Sequence, residues 1–211
     1  MTRIKAIIFD MDGVLIDAKE WHFEALNRAL TLFGMAISRY DHLVTYDGLP
    51  TKTKLRMLSM ERGLPEALHG FINEMKQIYT MEVIYAKCKP VFHHQFALSR
   101  LKAEGYRMAV CSNSIRNTIA MMLERAELLP FLEFFLSNQD VTAPKPAPDM
   151  YLKAIERMGL RADECLIVED NPNGIKAARD SGAHVMCVHD VREVNHANIT
   201  RTIAELEAAH A

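Results

Sequence analysis

The sequence is poor in cysteine and lacks long apolar runs, and both absences exclude classes of protein. Its four cysteines form no C-x-x-C pair, and Cys111, Cys165 and Cys187 lie in apolar runs typical of buried strands. They predict reduced core thiols rather than disulfides or metal ligands. No run approaches the ~20 apolar residues that span a bilayer, and the first residues show no signal-peptide pattern. We therefore expect a cytoplasmic protein without a membrane partner.

The sequence also lacks a strong net charge, because 25 basic and 27 acidic residues leave a formal charge of −2. Lys and Arg form no stripe interleaved with aromatic residues, so the pattern does not favour a nucleic-acid partner. An anionic substrate would have to be held by local groups. With 211 residues, 49% of them hydrophobic and 25% charged, the composition predicts a globular protein of one domain, with or without an insertion.

Short apolar runs alternate with amphipathic segments of helical length along most of the chain. The predicted strands cover 4–9, 107–111, 134–136, 165–168 and 184–188, and the predicted helices cover 94–103, 115–126, 149–158 and 174–180. This alternation indicates a parallel sheet with helices on both faces, in the α/β, Rossmann-like, doubly wound class. His93 and His94 start the first of these helices, and we expect both on the surface.

The interval between the first two strands is far longer than a crossover connection needs. Residues 18–87 show helical periodicity without a clear strand pattern, and Gly-Leu-Pro turns interrupt it. We predict a Rossmann-like core formed by 1–17 and 88–211, with 18–87 as an inserted α-helical cap. An insertion at this point lies near the carboxyl end of the sheet, where such folds bind ligands.

Pairs of acidic residues follow two of the predicted strands. Asp10 and Asp12 come after the first strand, and Glu169 and Asp170 come after the fourth. One acidic pair before Gly13 is as typical of a solvated turn as of a site. Two pairs at the carboxyl ends of strands would repel each other unless a cation compensates them, and Mg²⁺ prefers oxygen ligands. The pattern therefore predicts a magnesium site.

Polar residues also follow the second strand and occupy a proline-rich loop. Ser112, Asn113 and Ser114 precede a helix, where small side chains and free backbone N–H groups suit a phosphate, although either serine could simply cap the helix. Lys145 stands between two prolines. A lone loop lysine is more often solvent-exposed, but the restricted backbone favours a fixed position.

Together these elements resemble the four motifs of the haloacid dehalogenase-like superfamily. The matching residues, in order, are Asp10-x-Asp12-Gly13-Val14-Leu15-x-Asp17, Ser112-Asn113, Lys145-Pro146 and Glu169-Asp170. The following run in this chain also resembles the branch of the superfamily that carries a helical cap after the first motif. The run is Asn171-x-x-Gly174-Ile175-x-Ala177-Ala178. The resemblance covers the whole chain and implies a Rossmann-like core, Mg²⁺ and an aspartyl-enzyme intermediate.

The resemblance also implies a role for each matching residue. Asp10 would attack phosphorus and carry an aspartyl phosphate, while Asp12 would protonate the leaving oxygen and then activate water. A dehalogenase needs no such acid, so Asp12 favours phosphoryl transfer. Ser112 and the backbone N–H of Asn113 would hold phosphoryl oxygens, and Lys145 would offset charge. The implied metal ligands are Asp10, the backbone carbonyl of Asp12, Asp170, and Glu169 either directly or through water.

The predicted cap carries weaker functional signals. His22 lies near the place where beta-phosphoglucomutase-like relatives have a histidine that contacts the acid, although a cap-surface histidine is equally typical. Thr51 stands where the mutase loop supplies an arginine, which disfavours a mutase, and Lys52 beside it could bind an anion. We therefore predict a Mg²⁺-dependent phosphatase of a small phosphorylated metabolite such as a sugar phosphate. The alternatives are a phosphosugar mutase and a non-catalytic ligand-binding module.

Overall fold

The protein, described by a computed structural model over residues 3–209, divides into two compact units. The first, here called the sheet unit, comprises Met1–Asp17 and Lys89–Ala211. The second, the helical unit, comprises Ala18–Cys88. Among the described residues, no helix is long and apolar enough to cross a membrane.

The sheet unit contains five parallel strands in the order β3-β2-β1-β4-β5. The strands are β1 (Ala6–Phe9), β2 (Arg107–Cys111), β3 (Phe134–Leu136), β4 (Cys165–Glu169) and β5 (His184–Cys187). This architecture confirms the predicted α/β, Rossmann-like class. Among the strands, the largest boundary error is at β1, which begins two residues later than predicted.

Helices fill the helical unit and connect the strands of the sheet unit. In the helical unit they are α1 (Lys19–Thr31), α2 (Arg39–Asp41), the π-helical turn His42–Tyr46, α3 (Thr51–Arg62), the 3₁₀ turn Glu66–Leu68 and α4 (His69–Lys87). In the sheet unit they are α5 (Phe92–Ala103), α6 (Arg116–Arg125), α7 (Asp149–Met158), α8 (Pro172–Asp180) and α9 (His196–Ala209). Short 3₁₀ turns cover Leu129–Phe131, Ala162–Glu164 and Val191–Glu193.

The central strands are buried on both faces, as expected for a parallel sheet covered by helices. Ile7 and Ile8 of β1 and Leu166 of β4 are all 0% exposed. The edge strand β5 differs, because its last residue, Cys187, is exposed. The prediction that Cys187 is buried was therefore wrong, whereas Cys88, Cys111 and Cys165 are buried; none of these four described cysteines forms a disulfide.

The helical unit has its own apolar core. The buried residues that form it include Leu26, Leu30, Leu55, Leu58 and Ile72. Phe71 and Ile78 share the helical spacing of this core but remain about half exposed. The helical periodicity of this unit therefore extends to side chains outside its buried core.

His94 is buried, with 2% of its surface exposed, contrary to its predicted surface position. Its Nε2 donates a hydrogen bond to the carbonyl oxygen of Val191 at 2.8 Å. Burial lowers the pKa of His94 to about 4, and the charge of His93 contributes in the same direction. The native state therefore holds His94 neutral in a pH range where the unfolded chain protonates it.

We expect the free energy of unfolding to fall as the pH drops from about 6.5 to about 4, by about 3 kcal/mol through His94. The sign follows because the unfolded state binds the extra proton. Urea titrations across this range should show a smaller pH dependence for His94→Gln. The control His93→Gln leaves the burial of His94, the larger cause of the lowered pKa, in place and should keep most of the wild-type dependence. Equal slopes in wild type and His94→Gln would contradict the prediction.

Candidate active site

Strand register brings the predicted motifs of the sheet unit to one edge of the sheet. Phe9 pairs with Val110 of β2 and with Val168 of β4, so the residues that follow them lie at one level. Those residues are Asp10, Cys111 and Glu169, and the Asp10 N–H donates to the Val168 carbonyl at 2.9 Å. Parallel strands therefore place the two acidic motifs side by side, as the sequence predicted from their positions after strands.

Lys145 lies at the centre of this edge and is 3% exposed. Its ammonium donates to Asp10 Oδ1 at 2.6 Å, to Glu169 Oε1 at 2.7 Å and to the Cys111 carbonyl at 2.8 Å. These three acceptors match the three protons of an ammonium group. The Lys145 side chain is therefore fixed on the Asp10 carboxylate rather than exposed to solvent.

The loop that carries Lys145 is held by Asn113. The Asn113 amide donates to the Lys145 carbonyl at 3.0 Å and accepts from the Lys145 N–H at 3.1 Å. The peptide bond between Lys145 and Pro146 is cis. The side chain of Asn113 thus anchors the lysine loop, and the contact of its backbone N–H with a phosphoryl oxygen stays a prediction.

Asp12 is held by hydroxyl groups of the loop after β2. Ser114 Oγ donates to Asp12 Oδ2 at 3.0 Å, and Ser112 Oγ lies 3.5 Å from the same oxygen. Ser112 Oγ also accepts the Ser114 N–H at 3.1 Å. The contact of Ser114 with Asp12 was not predicted, although Ser114 follows Ser112 at a spacing that can place both on one acid.

The site has more acidic than basic groups. Burial raises the pKa of Asp10 well above its ordinary value; Lys145 opposes this shift, while Glu169 and Asp170 add to it. Burial alone would lower the pKa of Lys145, but Asp10 and Glu169 raise it above its ordinary value. The lysine therefore stays charged, and a second cation would relieve the repulsion among the carboxylates.

Carboxylate oxygens of Asp10, Glu169 and Asp170 lie within 4.8 Å of one another. An all-oxygen donor set with excess negative charge fits a hard divalent cation such as Mg²⁺. The three residues that the sequence predicted as carboxylate ligands are thus brought together. The fourth predicted ligand, the backbone carbonyl of Asp12, belongs to the loop after β1, two residues beyond Asp10.

Glu169 is saturated by donors from the protein. Oε1 accepts from Lys145 and from the Tyr151 hydroxyl at 2.8 Å, while Oε2 accepts the N–H groups of Asp170 at 2.9 Å and Asn171 at 3.2 Å. Of the two predicted modes, the water-mediated one fits Glu169 better, since a direct metal bond would compete with these donors. Asp10 and Asp170 are the stronger candidates for direct contact.

Sequence reasoning missed the role of Tyr151 and the reason for Gly174. Tyr151 lies on the apolar face of α7, where a tyrosine hydroxyl needs a buried partner, and this need was the available signal. A Cβ built on Gly174 would overlap the carboxylate of Glu169. Gly174 therefore leaves the space that this carboxylate occupies beside α8.

The predicted substrate-binding residues His22, Thr51 and Lys52 belong to the helical unit. His22 Nδ1 lies 3.4 Å from Lys76 Nζ, Thr51 begins α3 and is half-buried, and Lys52 is exposed. Lys54, two residues further along α3, is buried. The roles of the three residues in substrate binding stay predictions.

Two proteins with similar sequences are named as phosphatases. The chain is 26% identical over 182 residues to the phosphorylated carbohydrates phosphatase of Thermotoga maritima, covering 85% of this chain and 82% of that protein. It is 27% identical over 190 residues to the phosphoglycolate phosphatase of Nitrosospira multiformis, covering 88% and 83%. Both alignments therefore extend over most of each chain.

A solved structure and a family description agree on the fold. The beta-phosphoglucomutase of Clostridium difficile superposes with a TM-score of 0.83 at 19% identity, covering 97% of this chain and 99% of that one. Residues 7–188 match the family described as haloacid dehalogenase-like hydrolase. This match extends from Ile7 in β1 to Val188, just after β5, and includes every residue of the site described above. The chain therefore belongs to the haloacid dehalogenase-like hydrolase family.

Proposed function

We propose that this protein is a Mg²⁺-dependent phosphatase that hydrolyses a small phosphorylated metabolite, such as a sugar phosphate, through an aspartyl phosphate on Asp10. One observation carries the proposal. The Lys145 ammonium lies on both Asp10 and Glu169, beside a second aspartate, Asp12, that serine hydroxyls hold in place. A nucleophile, an acid–base group and a fixed cation are the groups that phosphoryl transfer requires.

The first half-reaction forms a bond between an Asp10 carboxylate oxygen and phosphorus, while the bond from phosphorus to the ester oxygen breaks. Lys145 is bonded to Asp10 Oδ1 and orients this carboxylate. Asp12 donates its proton to the departing oxygen, so that an alcohol leaves. Mg²⁺, held by Asp10, Asp170 and the Asp12 carbonyl, would neutralise charge on the phosphoryl oxygens.

The second half-reaction returns the enzyme to its starting state. Asp12, now a carboxylate, takes a proton from a water molecule as that water attacks phosphorus. The bond between Asp10 and phosphorus breaks, and inorganic phosphate leaves. Ser112 and the backbone N–H of Asn113 would hold phosphoryl oxygens in both steps. We also propose that the helical unit acts as the cap that selects the substrate. His22, Thr51 and Lys52 would contact the substrate. The proposed location of the protein is the cytoplasm.

The test is phosphate release from a panel of phosphomonoesters that includes hexose phosphates, phosphoglycolate and nucleoside monophosphates. We expect release with Mg²⁺, a fall of at least tenfold in EDTA, and recovery when Mg²⁺ is added back. Isomerisation of a hexose phosphate without release would favour the mutase. If no member of the panel gives either phosphate release or isomerisation, that result would contradict a catalytic role.

A further inference from the structure

Tyr151 contacts both members of the ion pair between Lys145 and Glu169, and it is itself 0% exposed. Its hydroxyl donates to Glu169 Oε1 at 2.8 Å. Its ring centroid lies 4.6 Å from Lys145 Nζ, within the range of a cation–π contact. One side chain therefore supports the lysine through its ring and the glutamate through its hydroxyl.

The Lys145 ammonium donates hydrogen bonds to two carboxylates, those of Asp10 and Glu169, which attract it in different directions. It lies 2.6 Å from Asp10 Oδ1 and 2.7 Å from Glu169 Oε1. The Tyr151 hydroxyl donates to the same Glu169 oxygen, and burial raises the pKa of this hydroxyl well above its ordinary value, so that it keeps its proton. Donation to Oε1 takes up part of the glutamate charge that would otherwise attract the ammonium alone.

We propose that Tyr151 is a positioning residue whose hydroxyl, by sharing the charge of Glu169 Oε1, keeps the Lys145 ammonium on the nucleophile Asp10. Without the hydroxyl, Glu169 Oε1 would rely on Lys145 as its side-chain donor, and the ammonium would move toward Glu169 and away from Asp10. The kinetic part of this inference rests on the proposed phosphatase function. The movement of Lys145 does not, because it is a property of the resting protein.

The test is Tyr151→Phe, which removes the hydroxyl and keeps the ring and its contact with Lys145. Tyr46→Phe is the matched control, because the Tyr46 hydroxyl is likewise buried and donates to a glutamate, Glu61, at 2.9 Å in the helical unit. With Mg²⁺ present, we expect Tyr151→Phe to lower kcat about tenfold and to leave KM within about twofold of wild type. Tyr46→Phe should leave kcat within about twofold.

A second measurement reads Lys145 without turnover. In protein labelled with ¹³Cε-lysine, Lys145→Met assigns the Lys145 resonance as the signal that disappears. We expect this resonance to shift in Tyr151→Phe and to stay in place in Tyr46→Phe; because the phenyl ring remains, a shift reports movement of the ammonium. An unmoved resonance would overturn the inference whatever the rates are.

The two measurements separate the failure of this inference from the failure of the proposed function. A shifted resonance with unchanged kcat would overturn a positioning role in catalysis. A loss of kcat shared equally by Tyr151→Phe and Tyr46→Phe would indicate a general effect of losing a buried hydrogen bond, which also overturns it. If wild type releases no phosphate, the proposed function fails and the lysine resonance alone decides whether Tyr151 positions Lys145.

Discussion

Asp10→Asn should lower kcat for phosphate release by about 10⁴-fold or more, because the variant has no carboxylate to form the aspartyl phosphate. The amide oxygen can still accept the hydrogen bond from Lys145, and Glu169 still pairs with the ammonium. The substitution also removes one of the carboxylates that repel each other at this edge of the sheet. We therefore expect a folded protein with an unchanged circular dichroism spectrum and no turnover.

The intermediate gives a second measurement for the same variant. Wild-type protein that is incubated with a ³²P-labelled substrate and then quenched with acid should carry a covalent label that hydroxylamine releases. The Asp10→Asn variant should carry no such label. Asp180→Asn is the matched control, since Asp180 is a surface residue of α8 that pairs with Lys176. Substantial turnover by Asp10→Asn would rule out the covalent mechanism.

Gly174→Ala should lower kcat by about 10²-fold and destabilise the protein by several kcal/mol. In a helix, alanine is ordinarily better than glycine by about 1 kcal/mol. Here the new Cβ would overlap the carboxylate of Glu169. Displacing that carboxylate breaks its bonds to Lys145 and Tyr151 and leaves a buried charge pair incomplete, at a cost of about 3–5 kcal/mol. The clash therefore outweighs the gain in helix propensity.

Urea unfolding and Mg²⁺-dependent phosphate release together check this prediction. Gly70→Ala is the matched control, because Gly70 also lies near the start of a helix, α4, but a Cβ there meets nothing within 4 Å. We expect Gly70→Ala to keep wild-type activity and to change the free energy of unfolding by less than about 1 kcal/mol. If Gly174→Ala kept wild-type activity and stability, the prediction would be wrong, because α8 could then move away from Glu169 without a loss of activity or of free energy of unfolding.

The motifs of the site are local features, and this is why the sequence predicted them well. A run such as Ile7-Ile8-Phe9-Asp10 combines a buried strand with the polar residue that ends it, and parallel strands bring such ends to one edge. The acidic pairs and Ser112 were predicted in this way, whereas Lys145 was predicted from its position between two prolines and from the resemblance to the four motifs. Their meeting at the carboxyl edge required no knowledge of individual side-chain contacts.

Side-chain partners were predicted less well, because they join residues that are distant along the chain. Asn113 anchors the backbone of Lys145, Ser114 bonds Asp12, and Tyr151 bonds Glu169. Each of these residue types has another common use as a cap, a surface group or a core filler. Pattern alone cannot choose among these uses.

The sequence by itself determined the parallel sheet, the helical insertion pattern and the acidic residues at the strand ends, since periodicity and turn residues encode them locally. The tertiary structure decided which side chains are buried, as His94 and Cys187 show. It also decided which groups complete the site, as Tyr151 and Gly174 show. Burial and hydrogen bonding depend on how separate segments pack against one another, and packing is fixed only when the whole sheet unit has formed.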